Sequence, residues 1–385
     1  MPRRKSVLHI ITHVGVGGAQ DNTLYTLELL DRKKFDVSLA ANIEGEYENR
    51  VNNISDLNII QLPNLYRKID LINDARSLLS LYRLIKKYGF DIVHTHSTKP
   101  GVLGRIAAKL AKTPVVIHTV HGFAFHDFMP KILHKIYTVL EKCMNLITHH
   151  LITVSTLNGK KMISLNLARN EDITNIYSGI DFLKFKNDSN GNFIRNELGI
   201  EKDTQLVGSI GRFSDQKDPF CLLNAIMELK DKMTNVHFVF AGGGPLKSEM
   251  MEFISKNELN KMVTVWEFRN DINNILNALD LFVISSIYEG LGRSLTEAMA
   301  KGIPVVATAV EGVPEIVINN ETGRLVLPRD PKKLASAIQN ALENRSRSKK
   351  MAEAGQKFVR ERFSIDSMIR EIEQVYKFSF DKVNN

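Results

Sequence analysis

The residues with the clearest chemical potential lie in the stretch Ser285-Ser286-Ile287-Tyr288-Glu289-Gly290-Leu291-Gly292-Arg293, followed by Glu297, Gly302 and Pro304. Apolar patterning runs it from the end of one strand into a helix, with Gly302 marking that helix's end. Gly290 and Gly292 let backbone N–H groups approach closely at the helix start, where the dipole and unpaired donors favour an anion such as a diphosphate. The stretch reads as a phosphate cradle flanked by two carboxylates. A retaining glycosidase would need its carboxyls roughly 5–5.5 Å apart. Eight residues of helix span about 12 Å and an extended loop spans more, so Glu289 and Glu297 are not such a dyad.

Two further constellations invite a ligand. His13-Val14-Gly15-Val16-Gly17-Gly18-Ala19-Gln20 leads from a strand into a helix, and its glycines can bring backbone amides to a phosphate or an acceptor hydroxyl. A dinucleotide fingerprint fails here, because Gln20 follows where a third glycine is needed and no acidic residue clearly ends the second strand. Eleven histidines include His94-Thr95-His96 and His118-Thr119-Val120-His121, each near the end of an expected parallel strand. No His-Glu-x-x-His helix or cysteine partner accompanies them, so no metal site is expected.

The elements that must hold these residues alternate along the chain. Short apolar runs at 7–11, 36–40, 91–93, 115–120 and 150–154 read as buried strands, with helical patterns at 19–30, 74–88 and 101–111. This is the βαβ signature, with parallel strands and right-handed crossovers. The alternation restarts after Asp181. The polar run 187–192 reads as an interdomain connection, and strands are expected at 205–210, 236–241, 261–266, 280–285 and 304–308. Ile365, Met368, Ile369, Ile372, Val375 and Tyr376 fall at helical spacing and form a closing helix. The expected architecture is α/β, with two doubly wound Rossmann-like domains facing a central cleft. The first spans 1–186, with the helix at 365–385 packing back on it, and the second spans 187–364. Ligands in such folds gather beyond the carboxyl ends of the strands.

With 385 residues, two domains is the natural division, and 43% hydrophobic and 24% charged content suits a chain that folds throughout. A net charge of +8 suits an anionic partner, whether a phosphorylated substrate, an acidic lipid surface or nucleic acid. The 51 basic residues are interleaved with 43 acidic ones and form no zinc-finger, RNP or basic-zipper pattern, so nucleic acid is not the expected partner. Cys143 and Cys221 make neither a disulfide framework nor a redox pair, which fits a reducing cytosol. No run approaches the roughly 18 apolar residues of a membrane-spanning helix. From 123 to 151, Phe125, Phe128, Ile132, Ile136, Tyr137 and Leu140 are interspersed with Lys131, Lys135 and Lys142. Such a basic amphipathic helix either lies in a membrane interface or packs on its own domain.

The Glu289-x7-Glu297 pattern in its strand–loop–helix context resembles glycosyltransferase family 4, and the resemblance extends over nearly the whole chain. It implies a GT-B fold and retaining transfer of a sugar from a nucleotide diphosphate, with no metal and no cofactor. It places Glu289 beside the donor sugar and Glu297 on the ribose hydroxyls, both suited to an acceptor-only carboxylate. It assigns Arg212 and Lys217 to the donor diphosphate, together with Gly290, Leu291 and Gly292. Fixed Arg and Lys donors stabilise the charge that grows on a leaving nucleoside diphosphate better than water does. Asp218 stands where the family usually has Gly. The turn at 241–245, with Gly244, is similar to the family's glycine-rich turn near the nucleotide. The 263–272 segment resembles the one that reads the base, making Phe268 and Arg269 base contacts, with Glu267 in place of a usual Gly. Gly17 and Gly18 match the family's Gly-Gly-Ala loop, with Gln20 for its usual Glu, and His121 is implied to meet the donor sugar. His94, His96 and Lys99 either shape the acceptor side or pack.

The 94–126 stretch is most similar to members that extend polyprenyl-linked saccharides in surface polysaccharide assembly. The expected activity moves a hexose or N-acetylhexosamine from a nucleotide sugar, with UDP the family's commonest choice, to a lipid-linked saccharide in surface polysaccharide or lipopolysaccharide synthesis. The expected location is cytoplasmic, peripherally on the cytoplasmic face of the inner membrane. A nucleotide-sugar epimerase on the same fold and a catalytically silent nucleotide-binding protein are the rivals. The intact pairs Glu289/Glu297 and Arg212/Lys217 favour the transferase.

Overall fold

A computed structural model describes residues 3–126, 128–185 and 191–384. The chain divides into two compact units, the first running to Gly179 and resuming at Ile365, the second spanning Ile180–Ser364. Of the expected connection at 187–192, residues 187–190 lie outside the described residues. Gly191 and Asn192 open a helix, Gly191–Leu198, instead of a loop. Ile194, fully buried, anchors that helix, and it packs on the helix Ile272–Ala278.

Among the described residues, the first unit holds β1 (Lys5–His13), β2 (Phe35–Asn42), β3 (Leu57–Gln61), β4 (Ile92–His96), β5 (Val115–Val120), β6 (His150–Thr153) and β7 (Ile173–Asn175). They form one parallel sheet ordered β3-β2-β1-β4-β5-β6-β7. The second unit holds β8 (Gln205–Ile210), β9 (Val236–Ala241), β10 (Val263–Trp266), β11 (Leu281–Ile284), β12 (Val305–Thr308) and β13 (Arg324–Val326), also parallel and ordered β10-β9-β8-β11-β12-β13. β3, β7 and β13 were not expected from patterning. All three are edge strands of three to five residues and none has a buried residue, so they lack the continuous apolar run that marks a strand covered on both faces. In each sheet the order reverses at one point, between β1 and β4 and between β8 and β11. Loops leaving neighbouring strands there diverge and open a crevice at the carboxyl ends.

Two-residue periodicity assigns the side chains of the first sheet to its two faces. Val7 and Ile11 of β1, Ile92 of β4, and Val115 and Ile117 of β5 share one apolar cluster with Leu24 and Leu27 of the helix Gly18–Leu29 and with Met368, Ile372, Val375 and Tyr376 of the closing helix. Leu8, Ile10, Val93 and Val116 face the other way. They pack with Leu81 and Ile85 of the helix Leu71–Tyr88 and Ala107 and Ala108 of the helix Thr98–Leu110. The closing helix, Ile365–Asn384, is therefore part of the first unit's core although it is last in sequence. Ile372, 3% exposed, is central to that face. Replacing it with Ala should cost about 2–5 kcal/mol through lost burial and a residual cavity, measured as a lowered unfolding free energy of the first unit.

Candidate active site

At the switch point of the second unit, the loops leaving β8 and β11 are sewn together. Ser285 Oγ donates to the carbonyl oxygens of Lys217 (3.0 Å) and Asp218 (2.8 Å). Ile287 N donates to the Gln216 carbonyl (2.8 Å), and Gln216 Nε2 to that of Tyr288 (3.2 Å). This stitching brings Lys217 Nζ into an ion pair with Glu289 Oε1. The same oxygen accepts from Ser286 Oγ at 2.7 Å, and the Glu289 amide donates to Glu311 Oε2 at 3.1 Å. Glu289 is only 5% exposed, so removing its cation would leave a nearly buried charge uncompensated. Arg212 lies exposed just beyond β8.

Asp218 shows why glycine is usual there. It sits in the left-handed region with φ 43° and ψ 59°, which costs a residue bearing a Cβ about 1 kcal/mol or more. Its carboxylate offsets this by accepting from Cys221 N (3.2 Å) as N-cap of the helix Pro219–Leu229. Burial raises the pKa of this carboxyl, against the lowering effect of the Cys221 amide.

Gly292, with φ 97°, caps the helix Arg293–Ala300 in a conformation that strains any L side chain. Leu291 beside it is buried. Glu297, one helical turn in, accepts from Arg293 Nε at 3.0 Å. The turn after β9 needs glycine by proximity: a Cβ on Gly244 would lie 2.3 Å from the Phe213 carbonyl oxygen. Of the residues expected at the base, Phe268 is partly exposed beyond β10. Arg269 stacks 4.6 Å from the Trp266 ring centroid and pairs with Asp271 at 2.7 and 2.8 Å and with Glu197. Those two carboxylates, Asp271 first, raise its pKa further. Glu267 pairs with Lys247, which lowers the Glu267 pKa.

Ser286, Glu311 and Arg293 were not singled out by sequence. Arg293 could have been, since it stands four residues before Glu297 on one helix face. Glu311 follows β12, whose carboxyl end lies beside that of β11; only the strand order makes them neighbours.

In the first unit, Gly17 and Gly18 begin the helix after β1, and Lys99 pairs with Asp74 while donating to the carbonyls of Tyr66 and Lys68 at 2.8 and 2.6 Å. The histidines cluster at the switch point. His9 of β1 lies in register with His94 of β4, and alternation puts His9, His94, His96 and Thr119 on the face covered by the closing helix. His118 points the opposite way, 2.9 Å from Thr95 Oγ1. His121, just past β5, is joined to His96 at 3.1 Å.

Burial, with smaller contributions from neighbouring histidines and, at His118, from Arg105, holds His94, His96 and His118 well below the ordinary imidazole value. It pushes His9 and His121 down to about 3, with Arg32 adding to the effect at His9. A histidine with a depressed folded pKa contributes stability that is complete above its unfolded value near 6.5 and is lost as pH falls toward the folded one. Lowering pH from 7 to 5 should therefore destabilise the first unit by about 2 kcal/mol for His9 alone. Urea unfolding followed by circular dichroism should show this, with the loss reduced in His9→Asn, while the lone Trp266 reports the second unit.

Two family models match the chain, Glycosyltransferase Family 4 over residues 16–182 and Glycosyl transferases group 1 over residues 191–358. A UDP-Gal:alpha-D-GlcNAc-diphosphoundecaprenol alpha-1,3-galactosyltransferase of Escherichia coli is 32% identical over 88% of each chain. The capsular polysaccharide biosynthesis glycosyltransferase CapM of Staphylococcus aureus is 27% identical over 91% of this chain and 92% of its own. Among solved structures, Anabaena Alr3699/HepE in complex with UDP and glucose matches with a TM-score of 0.83 at 20% identity, over 96% of this chain and 99% of its own. WaaG, a glycosyltransferase involved in lipopolysaccharide biosynthesis, matches with a TM-score of 0.78 at 16% identity, over 96% and 99%. At those identities the structural likeness carries the fold alone, which is GT-B. With two parallel doubly wound units and relatives matched along most of its length, the chain belongs to glycosyltransferase family 4 and carries the group 1 glycosyl transferase domain in its second unit.

Proposed function

We propose that the protein transfers a hexose or N-acetylhexosamine from a UDP-sugar to a lipid-linked saccharide in surface polysaccharide assembly, with retention and without a metal ion. The observation that carries the donor side is the meeting of Lys217 and Glu289 at the β8/β11 switch point, beside the Gly290–Gly292 turn. The Escherichia coli relative, named for UDP-galactose and a lipid-diphosphate-linked GlcNAc, supports the donor and acceptor classes.

Lys217 is paired with Glu289. A diphosphate brings a competing anion, drawing Lys217 toward phosphate and turning the Glu289 carboxylate to the sugar hydroxyls. An acceptor hydroxyl then attacks C1 from the face the diphosphate leaves. The bond from C1 to the phosphate oxygen breaks, the new glycosidic bond forms, and the acceptor proton passes to the departing phosphate. Lys217, Arg212 and the glycine turn stabilise the charge on the leaving group where a divalent ion would otherwise act. Glu297 serves the ribose, the segment at Phe268 and Arg269 the base, and Gly244 the glycine-rich turn near the nucleotide. In the first unit, Gly17 and Gly18 offer amides and His121 meets the donor sugar.

The amphipathic helix Lys131–Asn145 has no buried residue. Ile132, Ile136 and Val139, at 76, 55 and 52% exposed, form one stripe, bordered by Lys131, Lys135 and Lys142. Apolar residues flanked by lysines suit the headgroup boundary of an anionic bilayer. This supports peripheral attachment to the cytoplasmic face of the membrane, where a lipid-linked acceptor would be found.

The activity is tested by incubating purified protein and EDTA with labelled UDP-hexoses or UDP-N-acetylhexosamines and bacterial membrane extract. Label should enter organic-extractable lipid and fall roughly 10²–10³-fold in Glu289→Ala and Lys217→Ala. No label with any donor, despite intact folding, would sink the UDP and lipid-acceptor reading. For the membrane, sedimentation with phosphatidylglycerol vesicles should be at least about tenfold weaker in the double variant Ile132→Glu, Ile136→Glu. Unchanged sedimentation would remove that helix as the attachment site.

A further inference from the structure

His121 is tied to the closing helix by a continuous line of side chains within the first unit. His121 Nε2 meets His96 Nδ1 at 3.1 Å, and His96 Nε2 meets His9 Nδ1 at 2.9 Å. His9 Nε2 meets Tyr376 Oη at 3.1 Å, which meets His94 Nδ1 at 2.7 Å. His94 Nε2 ends the line on Thr119 Oγ1 at 2.7 Å. His9, His94 and His96 have no exposure, and Tyr376 is 1% exposed. The line crosses 367 residues of sequence between Tyr376 and His9.

A neutral imidazole has one N–H and one lone pair, and a phenol has one O–H. Each inner ring must therefore donate on one side and accept on the other, and Tyr376, whose buried O–H has no acceptor but these two histidines among the described residues, must donate to one and accept from the other. Only two arrangements satisfy every link. In one, all hydrogens point toward Thr119, every ring is protonated at Nε2, and His121 presents a lone pair at Nδ1. In the other, all point toward His121, every ring is protonated at Nδ1, and His121 presents an N–H. A break in the middle uncouples the two ends.

We infer that Tyr376 is a positioning residue that couples the tautomer of His121 to those of the buried rings through this line, so that whether His121 offers a donor or an acceptor to a sugar hydroxyl is set by the whole line, the last helix included, and not by His121 alone. Its consequence for turnover rests on the proposed role of His121 at the donor sugar. The three rings of His9, His94 and His96 are also close enough to share a metal ion. Every one of their six ring nitrogens, however, already has a partner in the line.

The test uses the full chain labelled with ¹⁵N at histidine and compares wild type with Tyr376→Phe, which keeps the ring and removes the link. The ring nitrogens of His121 should move toward the average of the protonated and unprotonated positions, and donor turnover should fall roughly tenfold, about the worth of one oriented hydrogen bond. Thr119→Val, at the end of the line on β5 and close to the threonine in size and shape, should move the same resonances in the same sense and covers the case in which Tyr376→Phe folds poorly. Unchanged His121 resonances in both variants would overturn the inference, as would a stoichiometric zinc ion in the purified protein. His121→Ala with full turnover would instead remove His121 from the proposed mechanism while the resonance shifts still report the line.

Discussion

The ion pair between Lys217 and Glu289 sets a constraint that much of the second unit meets. A lysine after the first strand and a carboxylate after the fourth can touch only if β8 and β11 are neighbours. That adjacency is what reversing the strand order at β8 provides. With Glu289 nearly buried, the pair must also be held in register. The bifurcated Ser285 hydroxyl, the reciprocal bonds of Gln216 and the Asp218 cap supply that support. Asp218 accepts a left-handed conformation to start its helix directly behind Lys217, so backbone strain is spent next to the charges it positions.

How much of this could be read from sequence follows from the range of each interaction. Central strands such as β5 and β9, buried on both faces, carry continuous apolar runs and were legible. β3, β7 and β13 have a neighbour on one side only, and their residues are too exposed and too few to leave such a run. Glu289, Glu297, Arg212 and Lys217 stood out because their neighbours in sequence include the glycines and strand ends that give them meaning. Ser286 and Glu311 act on Glu289 with no such mark, since Glu311 arrives only through β11/β12 pairing. The closing helix was visible as an amphipathic segment, but nothing local said that Tyr376 would reach His9 and His94. Arg269 shows a different limit. Its position beyond β10 was readable and Asp271 stands two residues on, whereas the commitment of its guanidinium to Glu197 depends on a helix 72 residues away.

The first unit places polar groups at its switch point in another manner. A core of the same shape could be filled with leucine and valine, which pack without needing partners. Burying three imidazoles and the hydroxyls of Tyr376 and Thr119 is tolerable only because every link is made, and a single unsatisfied member would cost about 1–3 kcal/mol. Such a line trades stability for definition: it leaves few ways to arrange its hydrogens, and so specifies the group at its end more tightly than an apolar core would.

Both units thus apply one topological rule to different chemistry. The proposed donor diphosphate carries formal charge, and the second unit sets Lys217, paired with Glu289, at its switch point. Sugar hydroxyls are neutral and directional, so a fixed charge near them adds little selectivity, whereas the placement of a single N–H or lone pair decides whether a hydroxyl is held. Neutral imidazoles meet that need only if burial keeps them unprotonated and neighbours fix their tautomers. Burial depresses the pKa of His9, His94, His96 and His121, and the closing helix supplies the hydroxyl that joins them. That the last helix in sequence returns to the first strand therefore serves this line as well as the core: without Tyr376, the first unit would have the rings but nothing to couple the protons of His9 and His96 to those of His94.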